Sequence, residues 1–142
     1  SLINDAAGPL NINIIMVALL LLAPMASAQD AADHVEFTVS ESCQTGIGTI
    51  DISITPLGNT QIPGPPGITI LQAEDTGVKW QTPIPFFIES PADYFPEPPK
   101  IQLSYLAGPQ QMPALIADFA YCPTVEQCLF ATEQIEIQTS CQ

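Results

Sequence analysis

Along most of this chain the apolar positions recur at every second residue. In Thr49-Ile50-Asp51-Ile52-Ser53-Ile54-Thr55 the isoleucines face one side and the polar residues the other, the pattern of a strand with one buried face. Val35–Ser40, Ile68–Gln72, Ile101–Leu106, Leu115–Tyr121 and Gln134–Thr139 are the other strand candidates. Turn chemistry separates them, at Gly46–Gly48, Pro63–Gly67, Asp75–Gly77 and Gly108-Pro109. No stretch carries a 3.6-residue apolar face with caps. About six to eight short strands at this spacing predict an all-β domain, an immunoglobulin-like antiparallel β-sandwich.

Two segments break the alternation. Ile14 to Ala28 (IIMVALLLLAPMASA) is a continuous apolar run that meets Pro24 and ends in Ala26-Ser27-Ala28. An apolar stretch of this length with an A-x-A end reads as an export signal, residues 1–28, cleaved near Ala28 before Gln29. A retained membrane anchor is the competing reading, and the run stops short of the roughly 20 apolar residues a spanning helix needs. The residues before it hold no Lys or Arg where such signals are basic, which fits a start at Met16. Residues 29–142 then form the domain.

The second break is the middle of the chain, where ten prolines fall between Pro56 and Pro99. Proline donates no ladder hydrogen bond, so this stretch is expected as edge strand and surface loop. It also holds Trp80, Phe86, Phe87, Tyr94 and Phe95, expected chiefly to plug the end of the core.

Composition narrows the function classes. Asp and Glu number 15 against 2 Lys and no Arg, a formal charge of −13. Nothing here can neutralise a phosphate backbone, so nucleic acid is excluded as a partner. Hydrophobic residues at 46% are enough for one core. His34, the only histidine, stands beside a polar leader and is expected as a lone surface residue, which leaves no catalytic triad to assemble. The carboxylates are scattered singly, unlike a glycosidase pair or a calcium loop. Four cysteines at these spacings make a poor zinc set. No metal and no cofactor is expected.

The cysteines carry the remaining chemistry, and an exported chain can oxidise them. Four cysteines allow three connectivities. If the runs flanking Cys122 and Cys128 are two strands of a hairpin, these two sit opposite each other at a Cα separation of about 4.5–5.5 Å, within reach of a disulfide. Cys43 and Cys141, after the first and last strand candidates, are then the natural structural pair. In the chain-entropy model the long loop is worth roughly 4.7 kcal/mol and the short one about 2.4 kcal/mol. A bridge that stabilises little is a candidate for one that is made and broken.

The segment Ile116-Ala117-Asp118-Phe119-Ala120-Tyr121-Cys122-Pro123-Thr124-Val125-Glu126-Gln127-Cys128-Leu129-Phe130 resembles the active hairpin of the N-terminal periplasmic domain of DsbD-type thiol:disulfide interchange proteins. Gly77-Val78-Lys79-Trp80, Phe86-Phe87, Tyr94 and Ile101-Gln102-Leu103 follow in that family's order, so the likeness runs from His34 to Ile137. It differs at Ile84-Pro85, where the family has acidic residues, and at Leu129-Phe130-Ala131, where it has a proline; Cys43 and Cys141 are additional. The resemblance implies an immunoglobulin-like domain, acting as a monomer, whose cysteine pair relays electrons as a protein-disulfide reductase component. The donor would be a membrane-embedded partner and the acceptors periplasmic thioredoxin-like proteins. It also implies that Cys128 forms the mixed disulfide, that Cys122 resolves it, and that Phe86 or Phe87 caps the pair.

Acidic neighbours (Asp118, Glu126, Glu133) and the lack of nearby cations disfavour a thiolate, so the pair should react slowly without a dedicated partner. The alternative class is an exported sandwich with a binding or structural role and two inert disulfides.

Overall fold

The computed structural model describes residues 31–138 and Cys141. The expected export segment 1–28, its cleavage site and Met16 lie outside the described residues. No helix among the described residues is long and apolar enough to cross a membrane.

Seven antiparallel strands build two sheets: β1 (Val35–Gln44), β2 (Ile47–Pro56), β3 (Ile68–Gln72), β4 (Phe86–Ile88), β5 (Lys100–Leu106), β6 (Leu115–Thr124) and β7 (Gln127–Ile135). One sheet has the order β1-β2-β5 and the other β4-β3-β6-β7. The domain is an all-β sandwich. Ile50, Ile52 and Ile54 on β2 and Ile101 and Leu103 on β5 meet Ile68, Ile70, Leu115 and Ala117 of the second sheet in one buried cluster. Phe37 on β1 and Phe119 on β6 touch edge to face across it, ring centroids 5.5 Å apart.

Two strand expectations are corrected. Gln134–Thr139 was expected as the last strand; Glu136–Gln138 is not strand, Thr139 lies outside the described residues, and the last strand among those described is Gln127–Ile135. Its partner β6 imposes that register, Leu115 opposite Ile135 and Tyr121 opposite Leu129. β4, only three residues long, was not foreseen, because Pro83 and Pro85 dominate the local signal; it survives as an edge strand paired through Ile68–Ile88 and Ile70–Phe86.

The proline-rich middle also closes an edge. Gln81 and Thr82 donate backbone hydrogen bonds to the Ser104 carbonyl at 2.8 and 3.2 Å, and Leu106 donates to the Lys79 carbonyl at 2.9 Å. That segment covers the outer side of β5 and lays Trp80 on Tyr105, centroids 5.8 Å apart. Edge donors that would otherwise invite another chain are thereby used internally.

Candidate functional site

The two hairpins that carry cysteines turn differently. Between β1 and β2 the turn residues Thr45 and Gly46 have φ of 56° and 79°, the mirror-image geometry that matches strand twist. Between β6 and β7 the turn is Val125-Glu126, and Thr45 is the only non-glycine residue with positive φ among the described residues. A turn of ordinary hand fits the twist poorly, and a bulge stands beside it. Tyr121 pairs with Leu129 and Thr124 with Gln127, so Cys122 and Pro123 together oppose Cys128. Proline suits that place, since a bulge leaves one residue without a ladder partner.

The bulge turns the Cys122 backbone away from β7. Its N–H donates to the Gln61 carbonyl at 2.8 Å, and the Gln61 N–H donates back to the Cys122 carbonyl at 3.0 Å. Cys122 is bonded to Cys128 with a Cα separation of 4.0 Å, closer than plain cross-strand geometry allows for. The two ends of this bridge differ sharply in access: Cys122 is 1% exposed, whereas Cys128 lies open to solvent.

Two large apolar side chains close to Cys128 in sequence are exposed, among the exposed polar residues Thr124, Glu126, Gln127 and Thr132. Val125 in the turn is 77% exposed and Phe130, two residues beyond Cys128 on the same face of β7, is 75% exposed. Farther across that face runs the row Phe87–Thr69–Asp118–Thr132, each opposite the next on β4, β3, β6 and β7. Thr132 donates its hydroxyl to Asp118 at 2.5 Å. Phe86 and Phe87 therefore part company. Phe86, opposite the fully buried Ile70, packs on the core. Phe87 is 51% exposed on the outer face, its ring against Gly67 and four residues short of Cys122 along β6, roughly 13 Å. Of the two rings for which the resemblance implies a cap role, only Phe87 faces outward, on a strand two removed from β6.

His34 is corrected from a lone surface residue to a half-buried one. It stacks on Tyr121, the residue before Cys122, with centroids 5.7 Å apart, and shares a 3.4 Å hydrogen bond with Thr60, the residue before Gln61. Sequence offered one faint signal for Gln61 and Thr60: they begin the polar-to-proline transition at Thr60-Gln61-Ile62-Pro63. The cleft beside Gln61, lined by Thr60, Ile62, Phe95 and Pro99, holds about 210 Å³. Small-molecule sites run to about 300–1,000 Å³, so this cleft is small for a drug-sized ligand.

Cys43 and Cys141 form the second bridge, with a Cα separation of 5.7 Å. It lies at the other end of the molecule, because the chain runs from His34, beside Tyr121, along β1 to Cys43, nine residues on, roughly 30 Å. Cys141 is buried, its N–H donating to the Tyr105 hydroxyl at 2.8 Å. The Ser42 and Ile47 carbonyl oxygens stand 3.6 and 3.8 Å from its sulfur, which would oppose a thiolate there. No cysteine is free among the described residues, and no His, Cys, Asp and Glu group among them could hold a metal ion.

The electrostatics of the hairpin sheet are one-sided. Strands β3, β4, β6 and β7 and the β6–β7 turn carry Asp118, Glu126 and Glu133 and no Lys or Arg. Glu133 faces inward opposite Ala117, with one carboxylate oxygen buried and unpaired among the described residues. Burial pushes its carboxyl above the ordinary value. Comparisons with protein-family models, with curated proteins and with solved structures each found no match to this chain.

Proposed function

We propose that this protein is an exported thiol-disulfide interchange module working through Cys122 and Cys128. The observation that carries the reading is the asymmetry of one bridge, with an open sulfur residue at Cys128 and a buried one at Cys122. Exchange needs a disulfide sulfur that a thiolate can approach, and a second sulfur held in place to leave and return.

The chemistry follows that order. A partner thiolate attacks the Cys128 sulfur, the Cys122–Cys128 bond breaks, and a mixed disulfide forms on Cys128. The Cys122 sulfur leaves as a thiolate and takes a proton from solvent. A second partner thiol, losing its proton, attacks the partner's own sulfur in the mixed disulfide and releases Cys128 reduced. Two electrons have then passed from the partner dithiol to the pair, and the reverse sequence delivers them to an acceptor disulfide. Resemblance to the DsbD-type domain supports a membrane-embedded donor and thioredoxin-like acceptors in the periplasm. The order β1-β2-β5 against β4-β3-β6-β7 supports the immunoglobulin-like reading, being the ABE and CFG arrangement with one extra edge strand.

Equilibration of the full chain with thiol buffers tests this. Cys122–Cys128 should reduce at a potential above about −300 mV, and Cys43–Cys141 should resist. A Cys122→Ser variant should then trap a mixed disulfide on Cys128. If both bridges resist alike, the second reading takes over: an exported binding or structural sandwich with two inert disulfides. The absence of any Lys or Arg on the hairpin sheet favours that second reading.

A further inference from the structure

The hairpin surface carries information about who can reach Cys128. We infer that it accepts a protein whose reactive cysteine lies in an apolar patch rimmed by Lys or Arg, and that it turns away small anionic thiols. This rests on the interchange reading above and specifies the partner's chemistry.

Two observations combine. The two most exposed large hydrophobic side chains among the described residues, Val125 and Phe130, stand three residues before and two residues after Cys128. Single exposed apolar side chains are ordinary on a protein surface, but here both flank the exposed Cys128 in sequence, Phe130 on the same face of β7. A partner that brings a sulfur to Cys128 must cover them, and burying each is favourable only against another apolar surface.

Charge supplies the second half. Glu126 in the turn and Asp118 on the same sheet are exposed, and no cation stands on this sheet to offset them. Lys100 belongs to β5 in the opposite sheet. Lys79 lies beside Leu106, which is opposite Ile47 next to the β1–β2 turn, at the far end of the molecule. Residues 29–142 hold 14 Asp and Glu against 2 Lys, and although Lys100 follows Pro99 of the cleft beside Gln61, the acids of the hairpin sheet leave the surface around Cys128 negative. Such a field raises the encounter rate of a basic partner and lowers that of an anion. Glutathione, anionic at neutral pH, meets repulsion and finds nothing to cover the apolar pair. Specificity thus combines an attractive element with a repulsive one.

The test measures reduction of Cys122–Cys128 in the oxidised full chain by cysteine pentapeptides. These carry lysine or glutamate at both ends and leucine or serine beside the cysteine. Each rate is divided by the same peptide's rate with a small neutral disulfide, which removes differences in thiol reactivity. At low ionic strength the lysine–leucine peptide should outpace the glutamate–leucine peptide by about tenfold or more. In 0.5 M salt, where charges more than about 4 Å apart are largely screened, that ratio should fall to about twofold. A Val125→Ser, Phe130→Ser variant should lose the preference for leucine over serine and keep the preference for lysine. Equal normalised rates for lysine and glutamate peptides, or a leucine preference unchanged in the double variant, would overturn the inference. Reduction by none of the peptides would instead overturn the interchange reading itself.

Discussion

Cys122 exchanges both backbone hydrogen bonds with Gln61, a residue 61 positions earlier in the chain, at 2.8 and 3.0 Å. Its disulfide partner Cys128 sits on the far side of a bulge, on the edge strand β7. One sulfur is held by the body of the sandwich and the other by a hairpin tip. Reduction should therefore release the tip alone. Amide hydrogen exchange on the reduced protein should show Gln61 and Cys122 still protected and Glu126 to Leu129 faster. Equal loss of protection at all of these would show that the bridge holds Cys122 in place.

Access to the two sulfurs predicts an order of labelling. After selective reduction, Cys128 should react with iodoacetamide at least about tenfold faster than Cys122, because the nucleophile must be reachable as well as ionised. Even so, labelling at neutral pH should be slow against a free cysteine peptide, since Glu126 in the adjoining turn opposes an anion nearby. Mass spectrometry of time points reads both.

The two bridges should differ in what they contribute to stability. Replacing Cys43 and Cys141 with serine should cost about 4–5 kcal/mol, against about 2 kcal/mol for the Cys122, Cys128 pair, as loop length alone would have it. Urea unfolding of the two double variants measures both. A larger loss from the short bridge would mark it as a structural staple.

Gly48 is small because Tyr105 needs the room. A Cβ at position 48 would clash with the Tyr105 ring, whose hydroxyl receives the Cys141 N–H. Gly48→Ala should displace the ring and cost about 2–3 kcal/mol, with the loss of that hydrogen bond adding to the overpacking. The midpoint of urea unfolding should fall in proportion, and near-ultraviolet circular dichroism should report the moved tyrosine.

Glu133 gives the fold a pH signature. Its carboxyl is raised above the ordinary value by burial, so the folded state binds a proton that the unfolded state has already lost. Stability from this group is therefore greatest below the unfolded value near 4.5 and falls as pH rises through the folded one. Glu133→Gln should raise Tm at pH 7 by a few degrees at most, with the difference closing by pH 4. An unchanged or lowered Tm at pH 7 would show that the carboxylate is well solvated. An inward carboxylate on an edge strand also discourages pairing with another chain, so the variant should aggregate more readily.

Much of the fold was legible in order of residues because a strand with one buried face writes itself locally. Ile50, Ile52 and Ile54 alternate with Asp51 and Ser53, and the structure buries the isoleucines and leaves Asp51 exposed. The middle of the chain was less legible. Pro83 and Pro85 spoke for a loop, yet the free edge of β3 captured Phe86–Ile88 as a strand. At the candidate site, spacing alone could bring Cys122 and Cys128 together, since a hairpin needs only its own residues.

What spacing could not supply was the difference between those two sulfurs. Cys122 is buried because Gln61, from a loop closed by long-range contacts, takes up its backbone bonds; Phe86 turns inward and Phe87 outward because β3 sets their register; His34 is drawn in by Tyr121. Alternation along a strand assigns its two faces by short-range geometry. Which face meets the other sheet, which edge is covered and which cysteine a visitor can touch depend on groups distant in sequence, and only folding brings those together.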